Sequence, residues 1–182
     1  MKFIFIVVKN MQRKNEPQKY VSLISAISKS VIPKESTVSQ SNQKANWYPV
    51  LQYIKYDIGI SVDGVWVISS GSNLFLMKTQ KDFGHMVSLM EFPMDEVKQD
   101  ITTFLSSHKI EVSPNDFFPF AEIIKAGLLF GSTYWAELAL EWYDEMPLEN
   151  RVYFRSHLIQ LKDAKWASQM LRHRARKELS KI

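Results

Sequence analysis

Apolar and polar positions along this chain change their period twice. Phe3 to Val8 is an unbroken run of six apolar residues, β-branched or aromatic, and predicts a buried first strand. Tyr20, Leu23, Ile24, Ile27 and Val31 then recur at helical spacing, with Pro17 suited to an early helix position and Pro33 as the stop. That is an amphipathic helix with a serine-rich outer face. Residues 34–46 hold Ser36, Thr37, Ser39, Ser41 and Asn42 with almost no apolar anchor, and read as a long loop.

From Ile54 the period becomes two: Ile54, Tyr56, Ile58, Ile60 and Val62 alternate with Lys55, Asp57, Gly59 and Ser61. Asp63-Gly64 supplies the positive φ angles of a tight hairpin, so Val65 to Ile68 is the return strand. Ser70-Gly71-Ser72-Asn73 is a second turn, Leu74 to Met77 a third strand, and Met86 to Phe92 a fourth. Residues 1–92 are therefore expected to form an α+β unit, a strand, a helix and an antiparallel β-meander that one helix covers.

Beyond Pro93 the spacing is helical nearly to the end. Val97, Ile101, Phe104 and Leu105 mark one helix, with Asp95 and Glu96 in its first turn, where the helix dipole favours acids. Pro114 to Phe120 turns into a helix over 121–130, Gly131 ends it, and Ser132 or Thr133 caps the next, which runs to about Met146. Two more are expected near 148–161 and 163–179. Connections this short make successive helices antiparallel neighbours, so residues 93–182 read as an all-helical C-terminal half, loosely HEAT-like but without a fixed sequence period.

Composition narrows the function classes. The 182 residues are 46% hydrophobic and 23% charged, a globular balance that excludes a disordered or collagenous chain. The absence of cysteine removes thiol nucleophiles and thiolate metal sites and suits a reducing compartment. The apolar run at the start is shorter than a signal peptide's core of about 7 to 15 residues and far below the roughly 20 that span a bilayer. A cytoplasmic location and no membrane association are the expectation.

The net charge of +4 hides a segregation: residues 1–46 carry +6, residues 47–150 carry −9 and residues 151–182 carry +7. The acids concentrate on the helix after Thr133, where Glu137, Glu141 and Glu145 stand at i, i+4 and i+8 with Asp144 beside them and Glu149 just beyond. Trp135, Leu138, Ala139 and Trp142 mark the opposite face. Like charges at i, i+4 cost a few tenths of a kcal/mol per pair, roughly, unless a cation neutralises them. The chain's own Arg151, Arg155 or Arg172 could do so; a basic protein partner is the functional alternative. A divalent cation would need convergent loop ligands that these acids lack.

The opposite feature is Arg172-His173-Arg174-Ala175-Arg176-Lys177. Arg172, Arg174, Arg176 and Lys177 on one helix could grip phosphates, the footprint of a nucleic-acid binder, while the spacing of Trp166 beside Ala167 and Met170 suits a core anchor. Catalytic signatures are missing. His85, His108, His157 and His173 have no companion at metal-ligand spacing, and there is no G-x-S-x-G, G-x-G-x-x-G or P-loop, so no cofactor, no metal and no enzymatic activity are expected. Trp47, Tyr48, Tyr53, Phe117, Phe118 and Phe120 are read as core aromatics.

A cysteine-free chain without a catalytic motif, bearing the acidic helix Thr133-Tyr-Trp-Ala-Glu-Leu-Ala-Leu-Glu-Trp-Tyr-Asp-Glu-Met146, resembles the plan of bacterial immunity proteins that neutralise toxins. The resemblance implies a stoichiometric inhibitor whose acids cover a basic toxin active site. The net positive charge departs from the commonly acidic members of that group.

Overall fold

Alternation in the first half builds a sheet that closes on itself. The computed structural model describes residues 23–39, 41–53 and 55–182. The expected strand at Phe3 to Val8 and the first part of the helix after Pro17 lie outside the described residues; residues 23–27 are helical, as their spacing predicts. Five strands follow: β1 (Lys34–Val38), β2 (Lys44–Gln52), β3 (Asp57–Ser61), β4 (Trp66–Ser70) and β5 (Asn73–Leu76). Each pairs antiparallel with the next, and β5 closes the barrel against β1 in parallel, through Thr37 with Asn73 and Val38 with Leu74. An up-and-down chain of five strands must close this way, because the first and fifth point in the same direction.

Three sequence expectations change here. Residues 34–46 are not a long loop: they supply β1 and the start of β2, with only a short turn at Asn42, whose φ is 55°. The side chains of Lys34, Glu35 and Thr37 stay exposed, so the strand is held by backbone pairing, by the Lys34–Asp57 ion pair at 2.8 Å and by Lys44 with Glu35. Polar strands of that kind leave no apolar period to detect. The meander does not lie open under one helix, because closure places Val38, Trp47, Val67 and Leu74 in a small interior of their own. The third change is at Met86 to Phe92, which is no strand but part of a 3₁₀ helix, Asp82–Glu91, with Phe83, Met86 and Leu89 buried at the three-residue repeat such a helix requires.

The turn at Asp63-Gly64 is looser than expected: only Gly64 takes a positive φ, of 82°, the loop spans residues 62–65 and the return strand starts at Trp66 rather than Val65, whereas Gly71, at φ 59°, turns the chain where expected. Gly59 answers a different need. A β-carbon there would sit 2.2 Å from the Tyr48 carbonyl oxygen and 2.5 Å from the Trp47 ring, so the missing side chain makes room for the buried indole. That indole donates to Ser36 Oγ at 3.0 Å.

The outward faces of β2, β3 and β4 are also buried. Tyr48, Val50, Ile58, Ile60, Trp66 and Ile68 belong to the same continuous core as Met86, Val97, Ile101, Phe117, Phe120 and Leu140, so barrel and helices share one interior. Trp66 meets Phe117 and Phe118 edge-on at 5.4 and 5.0 Å across that junction.

The helical half runs Met94–Ser107, Pro114–Phe117, Phe120–Leu129, Thr133–Asp144, Leu148–Arg151, Arg155–Asp163 and Gln169–Leu179. Ser113 caps the second and Ser168 the last, each hydroxyl accepting a backbone N–H three residues on. Gly131, at φ 83°, ends the Phe120–Leu129 helix as expected. The helix expected over 148–161 is interrupted by a 3₁₀ turn at Val152–Phe154, and the last helix starts at Gln169 rather than near 163. No helix among the described residues is long and apolar enough to cross a membrane. The chain is α+β, a five-stranded barrel followed by helices.

Candidate acidic interface

The Thr133–Asp144 helix buries Ala136, Ala139, Leu140, Trp142 and Tyr143. Trp135 and Leu138, placed on the inner face by spacing, are only partly buried, so the helix sits rotated toward Ala136 and Tyr143. Glu141, Asp144 and Glu145 are exposed and Glu137 is partly exposed, which keeps the four carboxylates outward as the spacing implies. Trp142 anchors the helix by donating from its indole nitrogen to the Phe92 carbonyl at 3.0 Å.

Tertiary packing extends the acidic side with residues from distant sequence. At one end the Tyr134 hydroxyl donates to Glu91 at 3.0 Å, and this bond holds the tyrosine above the usual phenol range. At the other end Glu145 meets Asp95 and Lys98, the lysine lying 3.8 Å from Glu145 and 3.1 Å from Asp95. Partial burial, and then the neighbouring Asp95, raise Glu145 above the ordinary carboxyl range against the opposing pull of Lys98. Tyr134, Glu137, Glu141 and Glu145 stand at i, i+3, i+7 and i+11, one stripe about 16 Å long at the helical rise. Between its anchored ends, neither Glu137 nor Glu141 has an ion-pair or hydrogen-bond partner among the described residues.

Neutralisation is thus partial, and by other cations than the sequence suggested. Asp144 pairs with Arg174 at 2.7 Å, whereas Arg151, Arg155 and Arg172 pair with no carboxylate among the described residues. Arg151 donates to the Met146 and Asp144 carbonyls and lies over the Tyr143 ring at 5.1 Å; Arg172 donates to the Ala164 and Ala167 carbonyls. Glu149 stands apart on the next helix, beyond Pro147, exposed and without a partner among the described residues.

The basic segment is divided in the same way. Arg172 and Arg174 serve internal bonds, while Arg176 and Lys177 are exposed without an ion-pair partner among the described residues. Trp166 is no core anchor: it is 38% exposed, and Met170 beside it is 69% exposed. Its position between two helices, in a turn rather than on a helical face, is why spacing misplaced it.

Lysine 98, Glu91 and Asp95 escaped the sequence reading because nothing local marks them; Asp95 looks like an ordinary dipole-favoured acid in a first turn. Exposed apolar residues also cluster where the stripe begins, with Leu129, Phe130 and Tyr134 outward around Gly131. Among the described residues no group of three or more His, Asp or Glu is placed to hold a metal ion. No protein-family model, curated protein or solved structure matches this chain.

Proposed function

We propose that the chain is a non-enzymatic protein-binding module whose acidic stripe engages a basic protein surface, a stoichiometric inhibitor of the toxin-neutralising kind that the sequence resembles. The observation that carries this reading is the pair Glu137 and Glu141, aligned and without a partner among the described residues, between ends that are tied down. Aligned like charges work slightly against the helix in the free protein, and lysines or arginines from a partner would reverse that sign. Charge steers such an encounter, while exposed aromatic residues such as Phe130 and Tyr134 supply contact area to hold it. A cytoplasmic location goes with this reading and suits the cysteine-free composition.

Since Asp144 is committed to Arg174, the discriminating variant is Glu137→Lys with Glu141→Lys rather than one that breaks the internal tie. Affinity capture from nuclease-treated lysate should retain one protein at equal stoichiometry with the wild type, and the double variant should weaken that complex by about tenfold or more. Unchanged affinity would remove the stripe from the interface. Arg176 and Lys177, exposed and without an ion-pair partner among the described residues, sustain a second reading, nucleic-acid binding. It predicts instead a capture that nuclease abolishes, that fades between about 50 and 300 mM salt, and that Arg176→Glu with Lys177→Glu removes.

A further inference from the structure

The Leu148–Arg151 helix, the Val152–Phe154 3₁₀ turn and the Arg155–Asp163 helix follow one another without a break. Phe154, Leu158 and Leu161 form the buried side of this run. Its flank is not polar: Leu148 is 73% exposed, Val152 48% and Ile159 41%. At about 100° per residue in the α segments and about 120° in the 3₁₀ turn, Leu148, Glu149, Val152, Arg155 and Ile159 fall within a sector of about 100°. Glu149 and Arg155 are both exposed, and neither has a partner among the described residues. They bracket Val152 three residues to either side, about 4.5 Å along the axis in one direction and about 6 Å in the other.

We infer that this stripe is a self-association surface, on which two copies of the chain pair antiparallel about a twofold axis at Val152. The twofold carries Glu149 of one copy to Arg155 of the other, and Arg155 to Glu149, while the two Val152 side chains meet on the axis. An isologous interface needs such self-complementarity, and an acid and a base placed evenly about an apolar residue provide it within one copy of the sequence. Exposed Leu148 lies opposite the aliphatic stem of the other copy's Arg155 and widens the contact. Roughly two turns of helix per copy make a small interface, so assembly depends on protein concentration.

Sedimentation equilibrium of the full chain from about 10 to about 500 µM tests this, a range that brackets weak dimer constants. The mass should rise with concentration from 21.2 kDa toward twice that value. Val152→Glu, which puts two carboxylates on the axis at an exposed position, should hold the chain monomeric. Glu149→Arg alone and Arg155→Glu alone should each weaken association by about tenfold, and the two together should restore it to within about threefold of wild type. Glu137→Lys with Glu141→Lys should leave it unchanged, which separates this surface from the acidic stripe. A monomer throughout the range, a dimer indifferent to Val152→Glu, or a swapped variant no better than its single parents would overturn the proposal.

Discussion

The Arg174 guanidinium donates to the Asp144 carboxylate at 2.7 Å and, from the same nitrogen, to the Leu140 carbonyl at 3.2 Å. This pair ties the last helix to the acidic one. A residue that charge counting assigns to a basic tail is thereby a structural clasp, and the carboxylate it holds is withdrawn from the face offered to a partner.

Removing that clasp should be felt in stability. Arg174→Ala is expected to lower the unfolding free energy by about 1 kcal/mol, a modest value because both side chains are partly solvated and the ion pair is screened. Arg174→Lys should recover only part of the loss, since its shorter side chain and freely rotating ammonium do not hold N–H groups fixed toward both acceptors as the planar guanidinium does. Urea denaturation midpoints of the three proteins measure both effects.

Gly59→Ala should be among the most damaging single substitutions in the barrel. Its β-carbon would collide with the Tyr48 carbonyl and the Trp47 ring, and neither the strand backbone nor the enclosed indole can move aside easily. The expected cost is about 3 kcal/mol or more, at or above the upper end for overpacked cores. Denaturation followed by Trp fluorescence would report it, and a loss below about 1 kcal/mol would show that the indole has room to shift.

Acidification should relieve a strain at Glu145. Its carboxyl pKa is raised on folding, first by burial and then by Asp95, so the folded chain holds that proton more tightly than the unfolded one. The contribution of this group to stability is therefore most favourable below the unfolded value of about 4.5 and declines as pH rises through the raised folded value. Glu145→Gln should accordingly stabilise the protein at pH 7 by a few tenths of a kcal/mol, roughly, after solvent screening, and give no gain near pH 4. Melting temperatures of both proteins at the two pH values check the sign.

Glu141→Lys should separate stability from binding. It replaces two repulsive i, i+4 relations, with Glu137 and Glu145, by attractive ones, worth roughly 0.3 to 0.5 kcal/mol each on an exposed helix. If the acidic stripe is the interface, this variant melts higher than wild type and binds its partner more weakly. A variant that is both less stable and weaker would point to an indirect loss.

The local chemistry of the chain determined a good part of this structure by itself. Gly64 and Gly71 set their turns, because few other residues tolerate the backbone angles required there. The helices at Met94–Ser107, Phe120–Leu129 and Thr133–Asp144 follow from apolar spacing bounded by Pro93, Gly131 and Ser132, and the outward direction of Glu137, Glu141, Asp144 and Glu145 follows from the same period. Signals of this kind depend on neighbours within about one helical or hairpin turn.

Tertiary structure alone decided the rest. Strand β1 pairs through its backbone and shows the solvent mostly polar side chains, so no pattern betrays it; closure of the barrel depends on β5 meeting β1 across the whole meander. The apolar run at Met86 to Phe92 suits a buried strand and a buried helix equally well, and packing against the Phe120–Leu129 and Thr133–Asp144 helices selects the 3₁₀ form. Which cations answer the acids is equally a matter of distance in space. Arg174 and Lys98 reach them, the sequence-adjacent Arg151 turns to carbonyl groups instead, and Glu137 and Glu141 have no partner among the described residues. Charge along a chain gives the supply of ions, but pairing is set by separations of a few ångströms that only the packed helices establish.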